Sequence, residues 1–149
     1  MNKLYVGSST EKKIKRGVQL LDDKDCYQAK GDDQLVGLYN QSHQFLGTAY
    51  LSRQNKGRGW FLSPKKVTLT EAYFFNLFRI AKERRQPFEN SDFTTSYRLF
   101  NQDGDNFGGI TVDRYADFAV FSWYNPFVYQ HRDTIVKAFQ QAYPEIDEA

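Results

Sequence analysis

Two runs of cations are the residues best suited to chemistry, and the chemistry they suit is anion neutralisation. Lys12, Lys13, Lys15 and Arg16 follow one another with only Ile14 between them. Four charges on one short turn cannot all be buried unpaired, so they face solvent or an anion. The second run is Arg53-Gln54-Asn55-Lys56-Gly57-Arg58-Gly59-Trp60. It reads as a glycine-loosened loop carrying three cations and two amides beside an aromatic. Cations neutralise phosphates, amides bond to base edges or sugars, and glycines let a backbone approach closely. Either run also reads as an ordinary solvated surface, and charge alone does not choose between the two.

The remaining motifs fail as sites. Asp103-Gly104-Asp105-Asn106-Phe107-Gly108 begins like a calcium loop. Its fifth position is Phe107, and its twelfth is Arg114 where a bidentate Glu is required. Gly104, Gly108 and Gly109 do not make G-x-G-x-x-G, and they lead into a strand rather than a helix. His43 and His131 have no cysteine or carboxylate at metal-ligand spacing. Cys26 sits beside Asp25 and lacks a nearby partner in sequence that would obviously lower its pKa. No serine occupies a G-x-S-x-G elbow. The sequence therefore names no catalytic, cofactor-binding or metal-binding residue.

The 149 residues allow one domain or two small ones. A 40% hydrophobic and 17% aromatic content points to a packed fold rather than disorder. The single cysteine excludes an internal disulfide framework. No apolar run approaches the roughly 20 residues that span a bilayer, and the stretch Met1-Asn2-Lys3-Leu4-Tyr5-Val6 is not apolar over the length a secretory signal needs. A cytoplasmic protein without a membrane partner is expected. The net charge of +2 hides a split: residues 1–85 carry +8 and residues 86–149 carry −6. A basic half suits a polyanion.

Positioning these residues falls to short strands first and helices later. Lys3–Val6 is expected as a strand and Glu11–Arg16 as a basic helical turn stopped by Gly17. Gln34–Tyr39 and Phe45–Tyr50 read as strands, with Trp60-Phe61-Leu62 a third apolar piece. Strands this short must close on one another, so a small barrel is expected. The pattern changes after Ser63-Pro64. Thr70 is a helix N-cap, Glu71 suits the first turn, and Phe74, Leu77, Phe78 and Ala81 share one face. Pro87 is expected just beyond the helix end. Three strands then run from Ser96 to Trp123, the last being Phe118–Trp123. Asn125-Pro126 opens a final helix with Ile135, Phe139 and Ala142 on one face, and Pro144 ends it.

The segment Ser96-Tyr97-Arg98-Leu99, then Asp103-Gly104-Asp105, then Gly109-Ile110-Thr111-Val112-Asp113-Arg114-Tyr115 is the most diagnostic stretch. It resembles the PUA-domain 23S ribosomal RNA cytosine-5 methyltransferases, which use S-adenosylmethionine. The basic segment Glu11–Gly17, Val36-Gly37-Leu38-Tyr39-Asn40, Leu46-Gly47-Thr48-Ala49-Tyr50 and the run through Arg58 resemble the same family's PUA domain. There are departures. Gly17-Val18-Gln19-Leu20-Leu21 stands where members carry a His-Pro-Trp-Val/Ile-Phe-like run, and Phe107-Gly108-Gly109 where many have Leu-Pro-Gly.

The resemblance implies an α+β chain: a PUA-like RNA-binding barrel over 1–65 and a central domain over 66–149. That central domain would hold a three-stranded element with flanking helices. The family's third, Rossmann-like domain carries the S-adenosylmethionine motifs and the cysteine that attacks cytosine. Nothing in residues 1–149 matches it, and the abrupt finish at Asp147-Glu148-Ala149 suits a chain cut at a domain boundary. The chain is thus expected to be the RNA-binding portion of a longer methyltransferase. Lys12, Lys13, Lys15, Arg16, Arg53, Lys56 and Arg58 would contact RNA. The expected partners are ribosomal RNA and the parent's catalytic domain, with a homodimer left open. No cofactor is expected on this chain itself. The competing reading is a protein-interaction module working through the acidic, aromatic-rich second half, with Trp123 and Tyr124 exposed.

Overall fold

Eight strands and four helices form two units in the computed structural model, which describes residues 1–89, 96–116 and 118–146. The first unit comprises Met1–Val67 with Asn125–Phe127, and the second Thr68–Tyr124 with Val128–Ala149. The finish at Asp147–Ala149 lies outside the described residues.

In the first unit, strand β1 (Asn2–Tyr5) leads into helix α1 (Ser8–Lys15), then β2 (Leu20–Asp22), β3 (Gln34–Tyr39), β4 (Phe45–Gln54) and β5 (Gly57–Ser63). Together they form one five-stranded sheet in the order β1-β3-β4-β5-β2, with β1 parallel to β3 and the other pairs antiparallel. Bulges interrupt the register at Leu38/Tyr39, Thr48/Ala49 and Leu21/Asp22, where each adds local twist. Strand alternation sends Leu4, Val6, Val36, Leu38, Ala49 and Leu51 to a core that also takes Leu21 and Cys26, with Ile14 of α1 packed against it. The helix ends in a full Schellman cap: Gly17 sits at φ +91°, its amide donates to Ile14, and the Val18 amide donates to Lys13. Asn125 donates to the Tyr50 hydroxyl at 3.0 Å, and the Phe127 ring stacks on Tyr50 at 4.5 Å.

In the second unit, the Thr70 hydroxyl accepts from the Tyr73 amide and caps helix α2 (Glu71–Glu89). The helix runs two residues past Pro87, which the sequence places beyond its end. Proline there forfeits one amide donor in the last turns without stopping the helix. Strands β6 (Ser96–Asn101), β7 (Ile110–Tyr115) and β8 (Phe118–Trp123) form an antiparallel sheet in that order. The final helix is two pieces broken at His131: α3 (Pro126–Gln130), whose first two residues belong to the first unit, and α4 (Arg132–Ala142). Phe78 meets Phe100 at 5.1 Å and Phe139 at 5.4 Å, so one aromatic side chain joins α2, β6 and α4.

Candidate nucleic-acid interface

The structure separates the seven expected RNA-contacting cations into two groups. Lys12 and Arg16 on the α1 end are exposed, and neither has an ion pair among the described residues. Lys15 keeps 70% of its side chain exposed and pairs with Glu11 at 3.0 Å, one helical turn away. Such an exposed pair is worth little and exchanges readily for another anion. Lys56 is exposed at the tip of the β4–β5 connection.

Lys13, Arg53 and Arg58 are held by acids. Lys13 Nζ lies 2.5 Å from Asp25 Oδ2 and 4.0 Å from Asp22. Asp25 is 7% exposed and also accepts from the Thr10 hydroxyl and the Asp22 amide. Burial alone would raise the Asp25 pKa; the Lys13 ammonium, the Thr10 hydroxyl and the Asp22 amide outweigh it and hold the carboxyl below its ordinary value. Arg53 grips Asp23 through both terminal nitrogens at 3.1 and 2.8 Å, and its hydrogen bonds are what depress the Asp23 pKa. Arg58 reaches Asp32 at 2.5 Å and Asp23 at 3.6 Å, with 16% of its side chain exposed.

The Arg53–Trp60 segment is not the loose loop that its glycines suggest. It is a tight hairpin in which Arg53 and Arg58 lie on paired strands and only Asn55-Lys56 turn the chain, Asn55 at φ +54°. Sequence reading missed the acidic turn after β2, which holds Lys13 and Arg53 and also reaches Arg58. Its one local signal was Leu20-Leu21 running into Asp22-Asp23-Lys24-Asp25.

Other expected features resolve into structural roles. Asp105 is 3% exposed and takes bidentate bonds from Arg85 at 3.0 and 2.7 Å, plus the Asn101 amide at 2.7 Å. The calcium-like turn is therefore a clasp between α2 and β6. Cys26 is buried, and desolvation followed by the charge of Asp25 pushes its thiol up to about 12, far from a reactive thiolate. Among the described residues no group of three or more His, Cys, Asp or Glu side chains could hold a metal ion. No helix among them is long and apolar enough to cross a membrane. Of the two aromatics expected on an exposed second-half face, Tyr124 is exposed, whereas Trp123 is half-buried and stacks on Phe121 at 5.3 Å.

Residues 4–64 match the family model described as a PUA-like domain. Over 135 residues the chain is 34% identical to a Bacillus subtilis protein provisionally named ribosomal RNA large subunit methyltransferase YwbD, a match covering 87% of this chain and 34% of that protein. It is 29% identical over 147 residues to the ribosomal RNA large subunit methyltransferase I of Aeromonas hydrophila, covering 95% of this chain and 37% of the relative. Among solved structures, one of a protein described as a SAM-dependent methyltransferase from Streptococcus mutans superposes with a TM-score of 0.95 at 60% identity. That superposition covers 98% of this chain and 39% of the other. A second, of a methyltransferase complexed with SAH, matches equally well. The chain spans about a third of the length of the curated relatives it matches.

Proposed function

We infer that this chain, a PUA-like domain with an α+β companion and a homologue of the ribosomal RNA large subunit methyltransferases, is the RNA-binding portion of a longer enzyme of that kind. The observation that carries this reading is the joint one: a PUA-like domain at residues 4–64, exposed cations on its α1 end and hairpin tip, and relatives named for ribosomal RNA. The parent transfers a methyl group to carbon 5 of a cytosine, with S-adenosylmethionine as donor. This portion holds structured RNA by phosphate contact and shape while the parent's remaining domain performs the transfer. Lys12, Lys15, Arg16 and Lys56 make the first phosphate contacts. Lys13, Arg53 and Arg58 contribute by fixing the acidic turn beneath them, and they meet RNA only if they leave their carboxylates.

S-adenosylmethionine, on this reading, is held elsewhere in the parent. The glycine-bearing segment Gln102–Gly109 passes from β6 through a single 3-10 turn, Gln102–Asp105, into β7, so it leads into no α-helix of the kind that carries a nucleotide-binding turn. We assign the donor to the parent's remaining domain. The exposed Phe118 and Val120 of the outer strand β8 suit packing against that domain or a second copy of the chain.

The test is equilibrium binding of the 149-residue chain to a structured fragment of large-subunit ribosomal RNA. Replacing Lys12, Arg16 and Lys56 together by Ala should weaken binding at least tenfold while leaving the melting temperature within a few degrees. Unchanged binding would remove the RNA face from these residues.

A further inference from the structure

Outside the cation face, the outer surface of the same sheet carries a row of rings that the proposed function does not use. Alternation along β1 turns Leu4 inward, so Lys3 and Tyr5 lie on the other side. Register then places Tyr5 beside Tyr39, and Tyr39 beside Phe45, across three neighbouring strands. Ring centroids are 5.7 Å apart for Tyr5 and Tyr39 and 5.4 Å for Tyr39 and Phe45. His43, exposed in the β3–β4 turn, meets Tyr5 edge-on at 5.0 Å. None of these contacts is a parallel stack. Phe45 is 38% exposed and is the most open ring of the three.

The row borders a hollow of about 260 Å³ between Lys3, Gly37, Tyr39, Phe45 and Lys66. That is below the roughly 300–1,000 Å³ of pockets for drug-sized ligands, and so suits one planar ring system rather than a cofactor. Gly37 leaves it open: a Cβ there would stand 3.3 Å from Tyr39 and 3.4 Å from Phe45. Lys3 Nζ lies 5.1 Å from the Tyr39 centroid, and no carboxylate lines the hollow. Phe45 also borders the adjoining hollow beside α1, which the Glu11–Lys15 pair lines, so the row meets the cation face there.

Aromatic faces, cations within reach and no acid are the features that take an unpaired nucleotide, base on ring and phosphate on ammonium. We propose that the Tyr5–Tyr39–Phe45 row with Lys3 and Lys66 is a stacking site for a single-stranded nucleotide of the bound RNA. This rests on the RNA-binding reading above and adds to it a preference for an unpaired base next to the structured element.

The test uses the whole 149-residue chain and a single-stranded RNA oligonucleotide carrying one 2-aminopurine, with a blunt RNA duplex as control. Phe45→Leu removes the ring and keeps apolar packing; Gly37→Ala fills the hollow and keeps every ring and charge. Both should retain the parental melting temperature, and each should weaken single-strand binding about tenfold. Duplex affinity and the salt dependence should stay as they are, because no cation is lost. The 2-aminopurine quench on binding should disappear. If both variants bind and quench like the parent while the Lys12, Arg16 and Lys56 variant binds weakly, the stacking site is wrong and the RNA-binding reading stands. If the unmodified chain binds no RNA even at low salt, both fall. If Phe45→Leu changes only the sedimentation of the chain, the row is a protein contact and the proposal is overturned.

Discussion

Adjacent lysines on α1 have opposite roles. Lys13 closes a network with Asp25, Thr10 and the Asp22 amide, whereas Lys12 projects to solvent without an ion pair among the described residues. Lys13→Ala leaves a buried carboxylate short of its main partner and should cost about 2 kcal/mol of stability. Lys12→Ala should stay within about 0.5 kcal/mol in stability and instead weaken RNA binding. Urea denaturation and RNA titration of both variants measure this crossover. The same network sets an acid limit. Asp25 has a folded-state pKa below its ordinary 3.8, so its contribution is full above that value and is lost as pH falls through the lower folded value. Stability measured from pH 5 down to 2 should fall with a component that Asp25→Asn removes; a parallel fall in that variant would show the carboxylate is not responsible. These partnerships were not legible in the sequence. Lys13 and Asp25 are 12 residues apart, Arg53 and Asp23 30, and Arg58 and Asp32 26, so no local pattern records them.

At the scale of elements, local pattern was a good guide wherever an element was long enough to show its period. Gln34–Tyr39 and Phe118–Trp123 are strands over the expected residues, and Phe74, Phe78 and Ala81 are buried along α2. Three-residue β2 is too short to display alternation. The Arg53–Trp60 glycines read as looseness, but both lie within β5, where Gly59 packs against the Tyr50 backbone. The β6–β7 turn gives an element-scale prediction. Gly109 adopts φ +97°, whereas Gly108 is not among the left-handed residues. Gly109→Val should therefore destabilise the chain by about 1–3 kcal/mol, and Gly108 should be free of that backbone penalty. A thermal melt of Gly109→Val beside Gly108→Ala decides it; equal losses would mean that packing, not backbone conformation, governs the turn.

For the chain as a whole, the charge split of +8 and −6 puts the cations beside the PUA-like domain, but acids within that domain engage part of that charge. The sequence showed the split and not the engagement. Titration of the chain with S-adenosylmethionine should give no heat of binding; micromolar stoichiometric binding would contradict assignment of the donor to the parent's remaining domain. RNA affinity against salt tests the central claim most directly. Of the seven expected cations, the four available ones, Lys12, Lys15, Arg16 and Lys56, neutralising four phosphates at about 0.7 each for unpaired strands, contribute about −3 to the log–log slope, before any phosphate contact by Lys3 or Lys66. A slope of that size, reduced by about two when Lys12, Arg16 and Lys56 are replaced by Ala, is the predicted result. An affinity that stays flat from low to physiological salt would contradict an RNA-binding role.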